Sequence, residues 1–367
     1  MRASSPLITL SSPLDYQVFQ RTALMKGRVV VRGQVYLSSD LASARIEAHL
    51  TGDSLAGPLK GGWVRLHLDR SSGAFDGALT TIPGGPYQLD VRLLRAQDAV
   101  AEATVSHVGV GEDFVVAGQS NSTNYGEVRQ KTETGMVSVF GGDAWQLASD
   151  PEPGVQDQSK QGSFLPAFGD ALYRKYRVPI GVAPAGHGST SVRQWLPAGD
   201  KVYVMPTMTR FVTRNAQNEL ISDGTLFDGM MKRINQFGKH GFRALLWHQG
   251  ESDAHQAPEH SISAEQYRAM MVELIRASRQ SAGWKVPWIV AEATYHSPND
   301  PADPAVEQAQ RSLWRSGVAL EGPNTDALGS EYRLNHGAGV HFSDVGLKAH
   351  GALWAQAVES YMDGVLH

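Results

Sequence analysis

Residues 114–121 read Phe-Val-Val-Ala-Gly-Gln-Ser-Asn, four apolar residues followed by a short polar turn. A short apolar run bounded by glycine is typical of a strand that is buried on both faces. Gly118 permits a sharp turn that lifts the following side chains out of the sheet. We therefore expect a buried strand that presents Ser120 at one edge of a sheet.

The second half of the chain continues this pattern of buried strands. Helical patterns lie between the apolar runs. One begins at Ser263, with Gln266 completing a capping box, and the last begins at Ser343. Buried strands that alternate with helices predict a parallel sheet covered on both sides. The further apolar runs are 180–183, 244–247, 288–291 and 318–320.

The first part of the chain, up to about Val110, has a different period. Apolar and polar residues alternate over 44–50, 64–68 and 87–93, and Gly, Pro, Asp and Ser clusters separate these runs. Such alternation predicts short strands with one buried face, arranged as an antiparallel sandwich of jelly-roll or immunoglobulin-like type. We expect two domains, a β-sandwich over 1–110 and an α/β domain over 111–367.

Composition excludes several classes of function. The net charge is −4 without a basic block, so the chain lacks the electrostatic footprint of a nucleic-acid-binding protein. Without cysteine, a thiolate nucleophile, a Cys-ligated zinc and a disulfide are impossible. No apolar run approaches the ~20 residues of a membrane span. The first residues lack the apolar core of a secretory signal. We expect a periplasmic or extracellular protein whose leader has been removed, with a cytoplasmic location as the alternative.

Four polar, glycine-bearing segments lie where function is expected, at the carboxyl ends of the predicted strands and before the final helix. Ser120 in the first of them is either a nucleophile, if a base removes its proton, or a turn serine that caps the next helix. His341 in the last is either that base or a structural histidine. The segments are 118–121, 186–191, 248–253 and 341–344.

The segment 248–253, His-Gln-Gly-Glu-Ser-Asp, has three interpretations. In the first, it supplies two catalytic groups, an acid that orients the base and an oxyanion donor. In the second it is a metal site, and in the third it is a solvated acidic loop. The metal ligands would be His248, Glu251, Asp253 and His255, although this spacing matches no named zinc motif. A G-x-S-x-G elbow is disfavoured, because Ser122 stands where its second glycine would be.

Taken together, these segments resemble the SGNH-hydrolase superfamily. Within it, they are similar to the sialate O-acetylesterases and to the acetylxylan esterases of carbohydrate esterase family six. The resemblance covers about 111–367 and implies a flavodoxin-like three-layer sandwich with a central parallel sheet. Residues 14–21 also resemble the opening of the β-domain in bacterial sialate O-acetylesterases. The matching motifs are GQSN at 118–121, GSTS at 188–191 with Trp195, HQGESD at 248–253 and HFS at 341–343.

The resemblance implies a role for each matching residue. Ser120 is the nucleophile and His341 is the base. The oxyanion hole consists of the N–H groups of Ser120 and Gly188 and the side-chain amide of Gln249. One such donor typically lowers the barrier by about 3–4 kcal/mol. Ser189 replaces a glycine that is usual in the family, which leaves the choice of backbone donor open.

The third member of the triad is open. Many relatives carry Asp three residues before the catalytic histidine, but Ala338 stands there. Glu251 is the first choice, because the resemblance to family six allows a Ser-His-Glu arrangement. The alternatives are Asp344 and a Ser-His dyad oriented by a backbone carbonyl. An acid at Asp344, in the first helical turn, is also explained by the helix dipole alone.

The expected activity is that of a serine carbohydrate O-acetylesterase without a cofactor or metal, whose partner is an acetylated carbohydrate. Asn121, Arg193 and Trp195 are the candidate substrate contacts, and Trp195 as a packing anchor is the alternative. The alternative functions are a non-catalytic carbohydrate-binding protein with a degenerate hydrolase domain, and an SGNH lipase or thioesterase. Neither nucleic acid nor a membrane is an expected partner.

Overall fold

The chain is a mixed α/β protein, and its computed structural model describes residues 8–36 and 43–366. In these ranges the strands form one 13-stranded sheet, one four-stranded sheet and one two-stranded sheet. Residues 1–7, 37–42 and 367 lie outside the described ranges.

The N-terminal part consists of antiparallel strands. β1, β3, β9 and β8 form the four-stranded sheet, while β4, β7 and β10 belong to the large sheet. Apolar side chains of both sheets pack in one cluster, in which Val29 and Val31 of the first meet Ile46 and Leu89 of the second. The strands are β1 Ile8–Ser12, β2 Val18–Gln20, β3 Gly27–Val35, β4 Arg45–Thr51, β5 Asp53–Ser54, β6 Gly57–Pro58, β7 Val64–Arg65, β8 His67–Leu68, β9 Ala74–Thr81 and β10 Gly84–Arg95.

The predicted alternation of buried and exposed residues is confirmed in β4 and β10. The prediction of a single strand over 64–68 is wrong. Ile46, Ala48 and Leu50 of β4 are buried and their neighbours are half-exposed. Over 64–68 the chain instead crosses between the sheets, because β7 pairs with β4 and β8 pairs with β9. Val64 is therefore exposed while Leu66 is buried.

One strand, β11 (Asp98–Gly118), connects the two parts of the chain. Its first half pairs antiparallel with β10. Its second half lies parallel to Ile180–Pro184 and to Ala244–His248. The domain boundary that we expect near residue 110 therefore falls inside a continuous strand, so the two parts share one sheet.

The second part of the chain forms a parallel sheet in the order β12, β14, β11, β17, β18, β19, with β13 antiparallel at the β12 edge. This arrangement confirms the predicted parallel pairing. The remaining strands are β12 Val137–Phe140, β13 Trp145–Leu147, β14 Ile180–Pro184, β15 Val212–Arg214, β16 Leu220–Ser222, β17 Ala244–His248, β18 Trp288–Glu292 and β19 Leu320–Asn324.

Helices cover both faces of the parallel sheet. Phe114 and Val116 of β11 pack in the same cluster as α1 and α5, while Val115 and Ala117 pack in the cluster with α2, α3 and α4. None of the helices in the described part of the chain combines the length and apolar character that a membrane crossing requires. The helices are α1 Leu165–Tyr176, α2 Thr225–Phe237, α3 Ala264–Ala282, α4 Pro304–Arg315 and α5 Asp344–Val365.

Both predicted helix starts are confirmed, whereas one predicted strand begins later than expected. Ser263 and Gln266 form the capping box of α3, and Ser343 caps α5. The run 318–320 is not a strand until Leu320. The N–H groups of Val318 and Ala319 bond to the carbonyl of Leu313 at the end of α4, so they are not available to the sheet.

Candidate active site

The turn after β11 presents Ser120 at the carboxyl edge of the parallel sheet. Gly118 has φ +127°, and a Cβ there would lie 2.0 Å from the carbonyl oxygen of His248, so only glycine allows β11 and β17 to end this close together. Ser120 begins a 3₁₀ turn that ends at Ser122, whose hydroxyl donates to the Gln119 carbonyl at 2.6 Å. As the first residue of this turn, Ser120 has a backbone N–H without an intrahelical partner.

Ser120 and His341 line the same cavity, which has a volume of about 470 Å³. Gln119, Ser189, Glu251 and His296 are among the other lining residues. Between the side chains of Ser120 and His341, both of which the structure describes, there is no hydrogen bond. Hydrogen bonds of a catalytic pair often tighten only in the complex with substrate. The fold thus brings together two residues separated by more than two hundred positions.

His341 is held by the residues around it. Ser343 fixes the start of α5 two residues later by accepting from the Gly346 N–H at 3.2 Å. The ring of Tyr125 stacks on the imidazole with the ring centres 5.0 Å apart. Burial lowers the pKa of His341; the charge of Glu251 raises it, and that of Arg333 lowers it further. The net lowering favours the neutral imidazole, the form that accepts a proton.

Glu251 has one engaged carboxylate oxygen and one free one. Oε1 accepts hydrogen bonds from Asn121 Nδ2 at 2.8 Å and from His248 Nε2 at 2.9 Å. Oε2 is buried and has no partner among the described residues. Burial raises the pKa of Glu251, but the interaction with His248 and the hydrogen bonds from His248 and Asn121 outweigh it and lower the pKa to about 2. The group is therefore a carboxylate at neutral pH, with an unpaired oxygen beside the cavity.

A buried chain of side chains connects Glu251 to α5. His248 Nδ1 lies 3.2 Å from Nε2 of His350, which also accepts from Trp354 Nε1 at 3.0 Å. Burial lowers the pKa of His350 well below its ordinary value, so this ring is neutral. Because Nε2 of His350 accepts from Trp354, its proton lies on Nδ1. The last helix thereby orients His248 and, through it, the carboxylate of Glu251.

Asn121 does not line the cavity, contrary to its predicted role as a substrate contact. Its Nδ2 donates to Glu251 and also to the Val340 carbonyl at 3.3 Å, so the side chain ties the acid to the loop of His341. Arg333 donates from Nη1 to the same carbonyl at 2.7 Å, and its guanidinium lies over the rings of Tyr295 and Phe342. Arg333 was not identified from the sequence, where it belongs to no motif.

The backbone donor at the loop after β14 differs from the predicted one. The N–H of Gly188 donates to Oδ2 of Asp157 at 2.6 Å, and this bond removes it from the candidate oxyanion site. The following residue, Ser189, lines the cavity with φ +60°. Gly188 has a separate role. A Cβ there would lie 2.7 Å from the ring of Tyr125, so the absent side chain makes room for the ring that stacks on His341.

The structure places Gln249, the other predicted oxyanion donor, outside the cavity lining. Its side chain is fully buried and does not line the cavity. Nε2 donates to Oδ2 of Asp253 at 2.7 Å and to the Thr190 carbonyl at 3.1 Å, which engages both of its protons. Oε1 accepts from the hydroxyl of Tyr267 at 3.0 Å. Gln249 therefore joins the loops that surround the site and has no donor left for a substrate.

Gln119, directly before Ser120, is the amide that faces the cavity. One end of its side chain accepts from the N–H of Ser252 at 2.9 Å and from that of Gly250 at 3.4 Å. Backbone N–H groups only donate, so the atom facing them is Oε1. Nε2 then lies on the opposite side, without an acceptor among the described residues, and Gln119 lines the cavity. Its position beside Ser120 was the available signal in the sequence.

Arg193 and Trp195, both predicted as substrate contacts, are buried and do not line the cavity of Ser120. Arg193 forms an ion pair with Asp253 at 3.1 Å, with both side chains inaccessible. Trp195 donates from Nε1 to the hydroxyl of Thr190 at 2.9 Å and packs on Trp247. The alternative interpretation of Trp195 as a packing anchor is the one that the contacts support. Both residues stabilise the loop that carries Ser189.

Asp344 points away from the cavity. Its carboxylate accepts from Gln130 Nε2 at 2.8 Å and from Lys348 Nζ at 3.3 Å. The hydrogen bond from Gln130 is the main reason that its pKa is lowered. Asp344 therefore belongs to the first turn of α5, in the position that favours an acid for the helix dipole.

The hypothetical metal ligands are not brought together. His248 pairs with Glu251, whereas Asp253 faces Arg193. The imidazole Nδ1 of His255 lies 4.0 Å from Oδ1 of Asp300. In the part of the chain that the structure describes, no three His, Cys, Asp or Glu side chains converge as a metal ion requires.

The chain is similar to a known protein family and to solved structures. A family model described as carbohydrate esterase, sialic acid-specific acetylesterase, matches residues 111–360. A carbohydrate acetylesterase from Xanthomonas citri has a similar structure, with a TM-score of 0.59, 18% identity, and coverage of 97% of this chain and 76% of that one. A protein from Arabidopsis thaliana gives a TM-score of 0.46 at 20% identity, covering 68% of this chain and 98% of that one. Among curated protein sequences, none is significantly similar to the chain.

The family match covers more than half of the chain and includes all four polar segments at the sheet edge. The solved Xanthomonas structure has the same fold. The chain therefore belongs to this family of carbohydrate esterases, and it is an ester hydrolase that acts as a carbohydrate O-acetylesterase.

Proposed function

We propose that the protein cleaves acetyl esters of carbohydrates by a two-step serine mechanism. The observation that carries this proposal is the common cavity of Ser120, His341 and Glu251, in which the acid keeps one buried oxygen unpaired. His341 would take the Ser120 proton while the hydroxyl attacks the acetyl carbonyl. His341 would then protonate the departing sugar oxygen, and water would release acetate from the acetyl-enzyme.

Glu251 is the third member of the proposed triad. Its free Oε2 would accept a hydrogen bond from the imidazole of His341, which fixes the tautomer and stabilises the imidazolium that forms. Oε1 is already held by Asn121 and His248, so the carboxylate does not need to reorient during the reaction. Asp344 is not a candidate, because Gln130 and Lys348 bind its carboxylate.

The proposed oxyanion hole consists of the N–H groups of Ser120 and Ser189 and of Nε2 of Gln119. Each lies on a residue that lines the cavity, and none has an acceptor among the described residues. The donors are fixed before the substrate arrives, because the 3₁₀ turn holds Ser120 and two backbone N–H groups hold the amide of Gln119. Preorganised donors of this kind stabilise the tetrahedral intermediate without reorganisation.

The lining of the cavity favours an acetylated sugar over a long acyl chain. Most lining side chains carry a hydroxyl, amide, imidazole or carboxylate group, among them Ser191, Thr207, Gln256 and His296. Such groups bind sugar hydroxyls, whereas a lipase needs a continuous apolar surface for its acyl chain. His296 is oriented by a hydrogen bond from Nε2 to the Glu251 carbonyl.

We further propose that residues 111–367 form an SGNH-type, flavodoxin-like three-layer domain and that residues 1–110 form an accessory β-sandwich. The parallel strand order and the helices on both faces support the first assignment. The single apolar cluster between two antiparallel sheets supports the second.

The proposal is tested with the variant Ser120→Ala. We expect release of acetate from 4-nitrophenyl acetate and from acetylated oligosaccharides to fall by at least three orders of magnitude, because no nucleophile remains. The thermal melting curve should be unchanged. Ser360→Ala, at an exposed position of α5, is the matched control and should keep full activity. Substantial acetate release by the Ser120 variant would refute the nucleophile assignment.

A further inference from the structure

A second cavity, of about 440 Å³, lies where the N-terminal sheets meet the parallel sheet. We call it the junction groove. One wall is the outer face of β3, with Arg28 and Arg32, and the opposite wall is aromatic, with Phe140, Trp145 and Phe237. It is separate from the cavity of Ser120. Gln20, which lines the groove, pairs with Gly111 of β11, whereas the Ser120 cavity lies beyond Gly118 at the end of the same strand. At about 3.3 Å per residue, Gly111 and Gly118 are roughly 23 Å apart.

The groove is cationic because its arginines are unpaired. Arg28 and Arg32 are exposed and alternate with the buried Val29 and Val31, so both guanidiniums belong to the same face of β3. Neither forms an ion pair or a hydrogen bond with another described residue. Asp76, the cross-strand neighbour of Arg32, instead contacts His67 at 3.0 Å. The lining of the groove contains no aspartate or glutamate.

Two further hydrogen-bond donors of the groove have no acceptor among the described residues. Gln17 uses Oε1 to accept from the Leu14 N–H at 2.9 Å, which leaves its Nε2 free. Trp145 is 8% exposed, and its six-membered ring lies against Gly181, so its Nε1–H lies on the opposite edge of the indole. The Trp145 and Phe140 rings stack with their centres 5.1 Å apart.

We propose that the junction groove binds an acidic oligosaccharide through its carboxylated sugars. Each planar guanidinium suits the two oxygens of one carboxylate. Arg28 and Arg32 are about 13 Å apart along β3, so they would bind the carboxylates of two different sugars. The Phe140–Trp145 pair offers an aromatic edge to the sugar ring, and the free N–H groups of Gln17 and Trp145 match its hydroxyl oxygens. A nucleic acid is not favoured, since the chain has a net charge of −4 and the groove supplies only two unpaired arginines.

The test is calorimetric titration of the full-length protein with tetragalacturonate and with cellotetraose, a neutral chain of the same length. We expect tetragalacturonate to bind at least tenfold more tightly. The double variant Arg28→Gln/Arg32→Gln should weaken its binding at least tenfold. The matched control Arg65→Gln/Arg315→Gln, which changes two exposed arginines outside the groove, should remain within twofold of the wild type.

Two further measurements separate this site from the catalytic one and verify the fold. Ser120→Ala should bind tetragalacturonate as tightly as the wild type, and the double variant should keep its melting temperature and its activity on 4-nitrophenyl acetate. Absence of tetragalacturonate binding, equal binding of the neutral chain, or equal weakening by the control pair would overturn the proposal. The proposal would also be overturned, in favour of a phosphate site, if inorganic phosphate or duplex DNA displaced tetragalacturonate at a concentration below that of tetragalacturonate itself.

Discussion

At the scale of single residues, Glu251 has the most distinctive environment in the active site. One oxygen is held by two donors, and the other is buried without a partner among the described residues. A buried oxygen that lacks a donor is costly, and in the proposed mechanism the donor is supplied during the reaction. The imidazole of His341 is the nearby group whose protonation changes during acyl transfer.

Glu251→Gln tests this role through the pH profile. We expect kcat/KM for 4-nitrophenyl acetate to fall by about 10²–10⁴-fold, since the imidazolium loses its counter-charge. The charge of Glu251 raises the pKa of His341. Its removal should therefore lower that pKa, and the acid limb of the profile should move to lower pH.

The control is Glu259→Gln at an exposed position, which should leave both rate and profile unchanged. A Glu251→Gln enzyme with nearly normal kcat/KM would shift the assignment to a Ser-His dyad.

The second prediction for a single residue concerns Gln119. Gln119→Glu keeps an oxygen for the N–H groups of Ser252 and Gly250 but replaces the Nε2 donor by an acceptor. We expect kcat to fall by about 10²–10³-fold with little change in KM, because an oxyanion donor acts in the transition state. The Michaelis parameters on 4-nitrophenyl acetate, with a melting curve as the folding control, provide the measurement. A normal kcat would contradict the assignment.

At the scale of elements, local signals account for helix starts and buried strands. The capping box at Ser263 and the cap at Ser343 depend on residues three positions apart, so the chain itself encodes them. Strand ends are less local. Val318 and Ala319 are apolar enough for a strand, but the carbonyl of Leu313 takes their N–H groups.

We expect the cap of α5 to contribute measurably to the stability of the protein. Ser343→Ala removes the acceptor for the Gly346 N–H and should lower the free energy of unfolding by about 1 kcal/mol, measured by urea titration. Ser343→Asp, which preserves a capping oxygen, should restore most of the loss. Equal loss in both variants would mean that the hydroxyl acts by another contact.

At the scale of the whole molecule, a buried charge cluster connects the N-terminal part to the parallel sheet. Glu112 of β11 accepts from Arg21 Nε at 2.5 Å and from Arg243 Nε at 2.6 Å. Arg21 follows β2 and Arg243 precedes β17, so the cluster joins three segments that are distant in sequence. The side chains of Arg21 and Glu112 are inaccessible to solvent.

Removing the acid should destabilise the molecule strongly. Glu112→Gln leaves Arg21 buried without a counter-charge, and we expect the free energy of unfolding to fall by about 3–5 kcal/mol. Glu273→Gln removes the partner of Arg276 in an exposed pair and should change it by less than about 1 kcal/mol. Urea unfolding of both variants measures the difference, and equal effects would show that burial of the cluster is energetically unimportant.

The candidate site could be predicted only in part, and the errors share a cause. Ser120, His341 and Glu251 lie in segments with recognisable patterns, and the fold places all three at one cavity. Gln249, Gly188, Asn121 and Arg193 have suitable donors, but other residues occupy them. Which donors remain free depends on acceptors that approach from other loops, such as Asp157 for the Gly188 N–H and the Thr190 carbonyl for Gln249.

The sequence alone predicts the alternation of buried strands with helices, the parallel pairing, and the segments at the carboxyl edge of the sheet. It can do so because periodicity, caps and turns are encoded within a few residues. Only the tertiary structure decided that Gln119 and Ser189, and not Gln249 and Gly188, face the cavity. Each N–H can satisfy one acceptor, and which acceptor lies nearest is determined by packing between residues that are far apart in the chain.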